Sequence, residues 1–405
     1  MSLGARRRRP PTPGFVANNL WRRAGELPSF HISPAALGHA RDLITGSALG
    51  TYNSASPAMA VGADGLLFTP AANAPVIEYN PTTLECLGAR IWGVVTNLSL
   101  ASEAIGGAGW VNQNSITVAL NTTDVIDPAG GNKASRLTSG ASGSQTLMGF
   151  TAAADVYSVG PWLRTASGSV SCNLLIFLAA SPFTVILQQP ITVTSKWQRF
   201  SFTSSAATAA AYNFAINVPS GTVYAYGSHI NRGATLGPYV PTTTTSASST
   251  ADVWSITGAD FNRIYNQSAV TLYAEAEREV VPAGDFPILL DARNNTSSEI
   301  IQISYRTENL ARNFVTTGGV LQSEGYPSGL AGIRRRRVAS AFETNDVAIS
   351  ANGSVPIDDA TATMPTPDRI TIGSVGGVQS LNGYIRELAI FRSRRPNANL
   401  QALTT

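Results

Sequence analysis

The chain is poor in charge. Asp, Glu, Lys and Arg make up 13% of its 405 residues, about half the usual share. Lysine is nearly missing: it occurs only at Lys133 and Lys196, so the basic residues are almost all arginine. The formal net charge is +3, which excludes a chain-wide electrostatic drive toward nucleic acid. There are two cysteines, Cys86 and Cys172. That excludes a zinc site built on cysteine spacing; a disulfide is possible but not implied. Two buried free thiols are expected instead. No run of about 18 apolar residues occurs, so no membrane insertion by a spanning helix is expected.

Catalytic signatures are missing too. No Gly-x-Ser-x-Gly elbow, Gly-rich phosphate loop or His-Glu metal motif is present. The three histidines, His31, His39 and His229, have no triad context and read as surface or core residues. The nearest thing to a catalytic pattern is Glu275-Ala-Glu277-Arg-Glu279. Alternate strand residues share a face, and retaining glycoside hydrolysis needs two carboxyls about 5–5.5 Å apart. The preferred reading is a solvated acidic strand face, and no enzyme is expected.

What fills the chain is Ala, Ser, Thr and Gly, with 43% hydrophobic residues. That is enough for a globular chain. Ser/Thr-rich strands with Gly, Asn and Pro at turns predict an all-β protein. The length predicts two or three domains. Residues 1–97 read as an N-terminal arm and an attachment or adaptor segment. Within it, Arg6, Arg7, Arg8 and Arg9 are followed by Pro10, Pro11 and Pro13 rather than by an apolar stretch, so no secretion signal is expected. Asn80-Pro81 predicts a tight turn between two short strands. Residues 98–240 read as a jelly roll. Tyr212, Phe214, Ile216 and Val218 fall on one face of a strand, and Phe200 and Phe202 alternate with Arg199 and Ser201. Residues 241–250, PTTTTSASST, read as the linker. Residues 251–405 read as a second antiparallel β-sandwich, with strand runs every 8–15 residues or so, ending at Tyr384 to Phe391 after an Asn382-Gly383 turn. Asn397 or Asn399 is expected to cap a short terminal helix.

Three phrases carry a resemblance. The end of the chain, LNGYIRELAIFRSRRPNANLQALTT, resembles the closing strand of the concanavalin/laminin-G-like domain of bacteriophage fibre and spike proteins. The stretch from Gly65 to Leu98 resembles an adaptor segment of phage structural proteins, through Asn73, Pro75, Tyr79, Asn80, Pro81, Cys86 and Gly88. It departs at Val76-Ile77-Glu78 and at IWGVV. KWQRFSFT and the run VYAYGSHINRGATLGPYVPTT resemble a carbohydrate-binding-module-like jelly roll, with His229-Ile230-Asn231 in place of the usual Gln-x-Glu. The resemblance implies a virion protein, tail fibre or spike, assembled in the host cytoplasm and carried on the particle. It implies virion proteins and a host surface glycan as partners. Because individual sugar contacts are weak, a homotrimer that gains by avidity is expected.

Glycan sites combine aromatic platforms with Asn, Asp and Arg. Trp110 and Trp162, flanked by Gly or Pro, and Tyr224 and Tyr226, on one strand face, are the candidate carbohydrate-binding residues, against a core reading of each. Trp197 reads as core. Arg6 to Arg9 are the candidate virion-docking residues, and Arg334 to Arg337 read as a solvated strand or loop. No cofactor is expected. A Ca²⁺ ion is the one weak candidate, through loop donors Asp291, Asn294, Asn295, Asp358 and Asp359. The rival functions are a purely structural spike base or decoration protein, and a polysaccharide depolymerase.

Overall fold

The segment Ala269–Glu277 reads AVTLYAEAE, and it is buried on both faces along nearly all its length. Val270, Leu272 and Ala274 point into one core, while Tyr273 points into another. A strand buried on both sides must have a layer on each. In the computed structural model, which describes residues 13–54, 57–278 and 286–405, Ala269–Glu277 lies inside an eight-stranded antiparallel sheet. A seven-stranded sheet, running from Thr51–Asn53 to Val320–Gly325, packs against it. Leu272, Phe342, Ile303, Ile372 and Trp254 share the core between the two. On the outer face lie the helices Pro13–Ala24 and Asn397–Thr404. Leu20, Leu400 and Leu403 cover Tyr273, Ala339 and Phe391 there.

The second module is a jelly roll of two five-stranded sheets and one three-stranded sheet. Its Tyr212, Phe214, Ile216 and Val218 are buried, as the period of two requires. Ser169–Leu178 and Val185–Thr194 form its long hairpin. The chain is therefore all-β, with two antiparallel sandwiches.

The expected division is corrected in two places. The described part of residues 1–97 is not a separate adaptor. Phe30–Ile32 and Cys86–Ile91 both pair with the C-terminal strand Gly383–Phe391, and Thr51–Asn53 pairs with Val253–Thr257. The first sandwich is thus built from both ends of the chain, and the jelly roll is inserted into it. Gly88 permits this closure. Its φ is +125°, and a Cβ there would lie 2.3 Å from the Ile385 carbonyl oxygen. The stretch 241–250 is not a free linker either. Ala247–Ser248 pairs with Thr96–Asn97, and Ser249 exchanges bonds with Val95 through its N–H and its Oγ. The two connections between modules run antiparallel and bond to each other.

Pro396 holds the N-cap position of the terminal helix Asn397–Thr404, and neither asparagine caps it. Asn399 Nδ2 donates to the Arg23 carbonyl, and Asn397 Nδ2 donates to Asp358 Oδ1. The predicted strand around Lys196 to Thr203 is split into Gln198–Arg199 and Phe202–Thr203, which join different sheets.

Candidate functional site

The connection between modules forms one wall of a cleft. Trp92 follows Cys86–Ile91. Its N–H donates to Asp252 Oδ2 at 3.0 Å, and its carbonyl accepts the Asp252 N–H at 2.8 Å. The opposite wall is the turn before the last strand. Asn382 sits in the left-handed region at φ 49°, and its Oδ1 accepts the Gly93 N–H at 2.9 Å. Gly383 presses on the Glu277 carbonyl, where a Cβ would come within 2.3 Å. The Arg278 N–H donates to the Arg334 carbonyl at 3.0 Å, which brings those two arginines side by side.

The jelly roll supplies the third wall. Asn231 Nδ2 donates to the carbonyls of Arg232 and Thr235, and its Oδ1 accepts the Gly237 N–H. One buried amide thus shapes the whole loop from 232 to 237. Arg232 Nε pairs with Asp155 at 2.6 Å, which holds the Asp155 carboxyl below its ordinary range. Arg199 lies over the Trp162 ring at 4.6 Å and places Nη2 3.0 Å from His229 Nδ1 and 2.9 Å from the Gly237 carbonyl oxygen. Burial, followed by the charge of Arg199, pushes His229 well below the usual imidazole range.

Two adjoining hollows result, of about 450 Å³ and about 200 Å³, and Trp92, Arg278, Asn382 and Thr235 line both. Among the described residues, four arginines border them, Arg199, Arg232, Arg278 and Arg334, together with two carboxylates, Asp155 and Glu277. Trp92 is 7% exposed, and among the described residues its indole Nε1 has no hydrogen-bond partner. A buried donor left without an acceptor is costly, so this position favours a ligand that brings one.

Beneath the cleft lies a buried ion network. Arg90 donates to the Met59 carbonyl at 3.0 Å and lies 3.9 Å from Glu78 and 3.7 Å from Asp252. Burial raises the carboxyl pKa of both Glu78 and Asp252, against the lowering effect of Arg90.

The four aromatic residues expected as sugar platforms are elsewhere. None is more than 7% exposed. Trp110 packs edge-on against Phe214, and its Nε1 donates to the Leu100 carbonyl. Trp162 is enclosed by Tyr239 and Arg199. Tyr226 is fully buried and donates to Glu103 at 2.6 Å. Trp162 and Tyr226 share a small core with Met59, Val61 and Leu67, where the two modules meet. Tyr224 donates to Asp124, and it alone of the four borders a shallow surface hollow, beside Arg136. The correction has a plain cause. Gly and Pro neighbours place a residue near a turn, but Trp110 turns into the jelly roll's own core and Trp162 into the intermodule contact rather than to water.

Other expectations are settled by their partners. Glu275 is buried between Arg337 at 2.7 Å and Arg386 at 3.3 Å, and Glu277 pairs with Arg386 at 2.9 Å. The face is therefore not solvated. Glu279 and Arg6 to Arg9 lie outside the described residues. Arg335 and Arg336 bind Glu85 and Glu308, and Arg336 also covers the Tyr305 ring; Arg334 and Arg335 are exposed, while Arg336 is buried and Arg337 half-buried, so only the first half of that basic run is solvated. Trp197 is half-buried and donates to the Ile126 carbonyl. Asp291 binds Arg293 and Gln302, Asp359 binds Thr361, and Asn294 accepts from Thr296. Among the described residues no group of three or more His, Cys, Asp or Glu is arranged to hold a metal.

No family model matches the chain, and no curated protein matches it. Solved structures do resemble parts of it. The CBM22-1 xylan-binding domain of Paenibacillus barcinonensis Xyn10C is 10% identical over 36% of this chain and 97% of its own, with a TM-score of 0.28. The CBM22-1–CBM22-2 tandem of the same protein is 10% identical over 76% of this chain and 100% of its own, at 0.30. The CBM40 of Ruminococcus gnavus IT-sialidase, bound to α2,3 sialyllactose, is 12% identical over 35% of this chain and 84% of its own, at 0.30. At these TM-scores the likenesses carry no argument about this chain.

Proposed function

We propose that this protein is a structural component of a phage or phage-like particle, a tail fibre or spike, and that it holds host surface polysaccharide in the cleft between its two sandwiches. One observation carries the binding half. A single buried Trp, an Asn, a Thr and several arginines converge on a groove of sugar dimensions. The virion half is supported by the three sequence phrases that resemble phage structural proteins. On this reading the protein is assembled in the host cytoplasm, Arg6 to Arg9 dock it on virion proteins, and it binds without turnover, nucleic acid or membrane insertion.

Self-association as a trimer belongs to the same proposal. Val320, Leu321 and Ile357 are exposed on the terminal strands of the two facing sheets, with exposed Val355 beside them. That supports contact between copies along this edge. Sedimentation equilibrium giving three times the chain mass is the expected result, and a monomer would remove this part.

The structural rival has an observation in its favour, the burial of all four expected platforms. A glycan array probed with the full chain separates the two. A fragment starting at residue 98 would not serve, because it lacks the strands that pair with Gly383–Phe391. Retention of at least one host-type polysaccharide supports recognition. No binding across the array supports the purely structural role.

A further inference from the structure

We infer that the jelly roll meets other copies of this chain through the outer face of one sheet. Its five strands, in spatial order, are Val185–Thr194, Ser169–Leu178, Ala210–Asn217, Gln145–Ala152 and Val111–Gln113. This rests on the trimer reading above, and it adds the surface that the second module contributes.

The first feature that carries it is composition. None of the five strands contains Asp, Glu, Lys, Arg or His. Nor do the stretches 139–144, 179–184 and 204–209 that lead into three of them. Every other described sheet of five or more strands carries several charges, and the sister sheet of this module carries Arg136, Arg164 and Arg199. A face turned to water is ordinarily polar, whereas charge is depleted at the centre of a protein contact.

The second is the pattern of the face. Met148, Leu174, Ile176 and Phe214 fill the core, so the alternate residues point outward. The register sets them in two rows. Asn173, Asn217, Gln145 and Gln113 form an amide row, in which Asn173 Nδ2 donates to Asn217 Oδ1 at 3.1 Å and Gln145 Nε2 donates to Gln113 Oε1 at 2.9 Å. Leu175, Ala215, Leu147 and Val111 form an apolar row beside it. Ala215 and Leu147 are sheltered in its middle, Leu175 is half-buried and Val111 is exposed. A carboxamide both donates and accepts, so this face complements a neutral surface, its own kind included. An ion brought against it would lose water and gain no partner.

The third is size. Five strands of about eight residues span roughly 24 by 27 Å, on the order of 600 Å². That is the low end of what each partner buries in a stable interface, and the apolar sandwich edge at Val320, Leu321 and Ile357 adds to it. Exposed Val111 and Val185 mark the two terminal strands, and exposed Phe183 lies in the hairpin turn next to Val185. Pro190 interrupts the free N–H row of Val185–Thr194, which favours contact by the face over strand addition. Half-buried Phe177 is the one aromatic on the outward side of these strands, so the stacking platforms of a sugar surface are missing.

Sedimentation equilibrium of the full chain, over a range of concentrations, tests the contact. Leu175→Glu puts a charge in the apolar row, and Val111→Glu puts one at its exposed end. Each should weaken association at least about tenfold, since a charge would be buried unpaired. Thr117→Glu, at an exposed position of the sister sheet, should change nothing. Denaturant midpoints report folding, and Val111→Glu decides the matter if Leu175→Glu unfolds the chain. A trimer that persists in Val111→Glu, or one weakened equally by Thr117→Glu, overturns the inference. Dissociation of that trimer by Leu321→Glu would then leave self-association to the sandwich edge. A wild-type monomer at every concentration overturns the inference and the trimer reading together, while the glycan-binding proposal stands. Retention of monomer on neutral dextran, lost in Val111→Glu, also overturns it and assigns the face to a sugar chain.

Discussion

Asn382 Oδ1 accepts the Gly93 N–H at 2.9 Å, across 289 residues of chain. The bond joins the turn before the last strand to the strand that leaves the sandwich for the jelly roll. It also fixes the width of the cleft, since Asn382 and Trp92 line both of its hollows.

Asn382→Ala removes that acceptor and places a Cβ-bearing non-Asn residue at φ 49°. The expected loss is about 2–3 kcal/mol, from the stranded Gly93 N–H and the left-handed backbone together. Asn382→Gly keeps the backbone freedom and should lose less. Denaturant midpoints of the two variants give the comparison, and equal losses would mean that backbone conformation is irrelevant there.

Gly88→Ala should be among the worst single changes in the chain. The added Cβ meets the Ile385 carbonyl oxygen at 2.3 Å. The clash is with backbone inside a strand pair, so the expected cost is about 3 kcal/mol or more. Gly46→Ala has a similar backbone demand, φ +75°, but open space around it, and should cost about 1 kcal/mol. A mild Gly88→Ala would mean that Cys86–Ile91 does not close on the C-terminal strand as described.

Arg90→Ala would leave the buried carboxylates Glu78 and Asp252 without their cation. Breaking one partner out of such a network typically costs about 3–5 kcal/mol. Equilibrium unfolding of the variant measures it. A loss below about 1 kcal/mol would mean that the network is not closed to water.

His229 predicts a pH dependence. Burial keeps it neutral in the folded protein, with its pKa well below the usual value. The unfolded chain takes up the proton below about pH 6.5. Below that point the unfolded state binds more protons, so stability falls with falling pH until the folded pKa is reached. The slope from this one group approaches about 1.4 kcal/mol per pH unit. His229→Gln should flatten the curve between pH 6.5 and 5 by up to that amount. An unchanged slope would contradict the burial assigned to the ring.

The thiols give a simple check. Burial pushes Cys172 up to about 12 and raises Cys86 as well. A thiolate-trapping reagent at pH 8 should find neither quickly in the native chain, and both after denaturation. Fast labelling of the native protein would contradict the packing around them.

The sequence made the strand alternation of the jelly roll legible, because Tyr212, Phe214, Ile216 and Val218 announce which face is buried; in Ala269–Glu277 the same period misled, because both faces are covered. It also made the Asn382-Gly383 and Asn80-Pro81 turns legible, since those residue pairs have strong local preferences. The hairpin Leu310–Thr317 to Val320–Gly325 went unseen. Its charged and polar residues blur the period of two, although Gly318-Gly319 marks its turn. Pairings between Cys86–Ile91 and Gly383–Phe391 were out of reach, because nothing local to either strand encodes a partner about 300 residues away. The cleft was hidden for the same reason. Trp92 stood in a stretch, IWGVV, that departs from the resembled pattern, and Arg232 and Arg278 become neighbours only once the jelly roll folds back on the sandwich.

The central claim is that polysaccharide is held, uncut, between the two sandwiches. Hydrogen exchange of the full chain, with and without saturating host polysaccharide, tests it most directly when the recovered polymer is also sized. The prediction is slowed exchange at residues 92–98, 231–236 and around 382, with polymer length unchanged. Protection confined to other surfaces, such as the hollow beside Tyr224, or a shortened polymer, would contradict it.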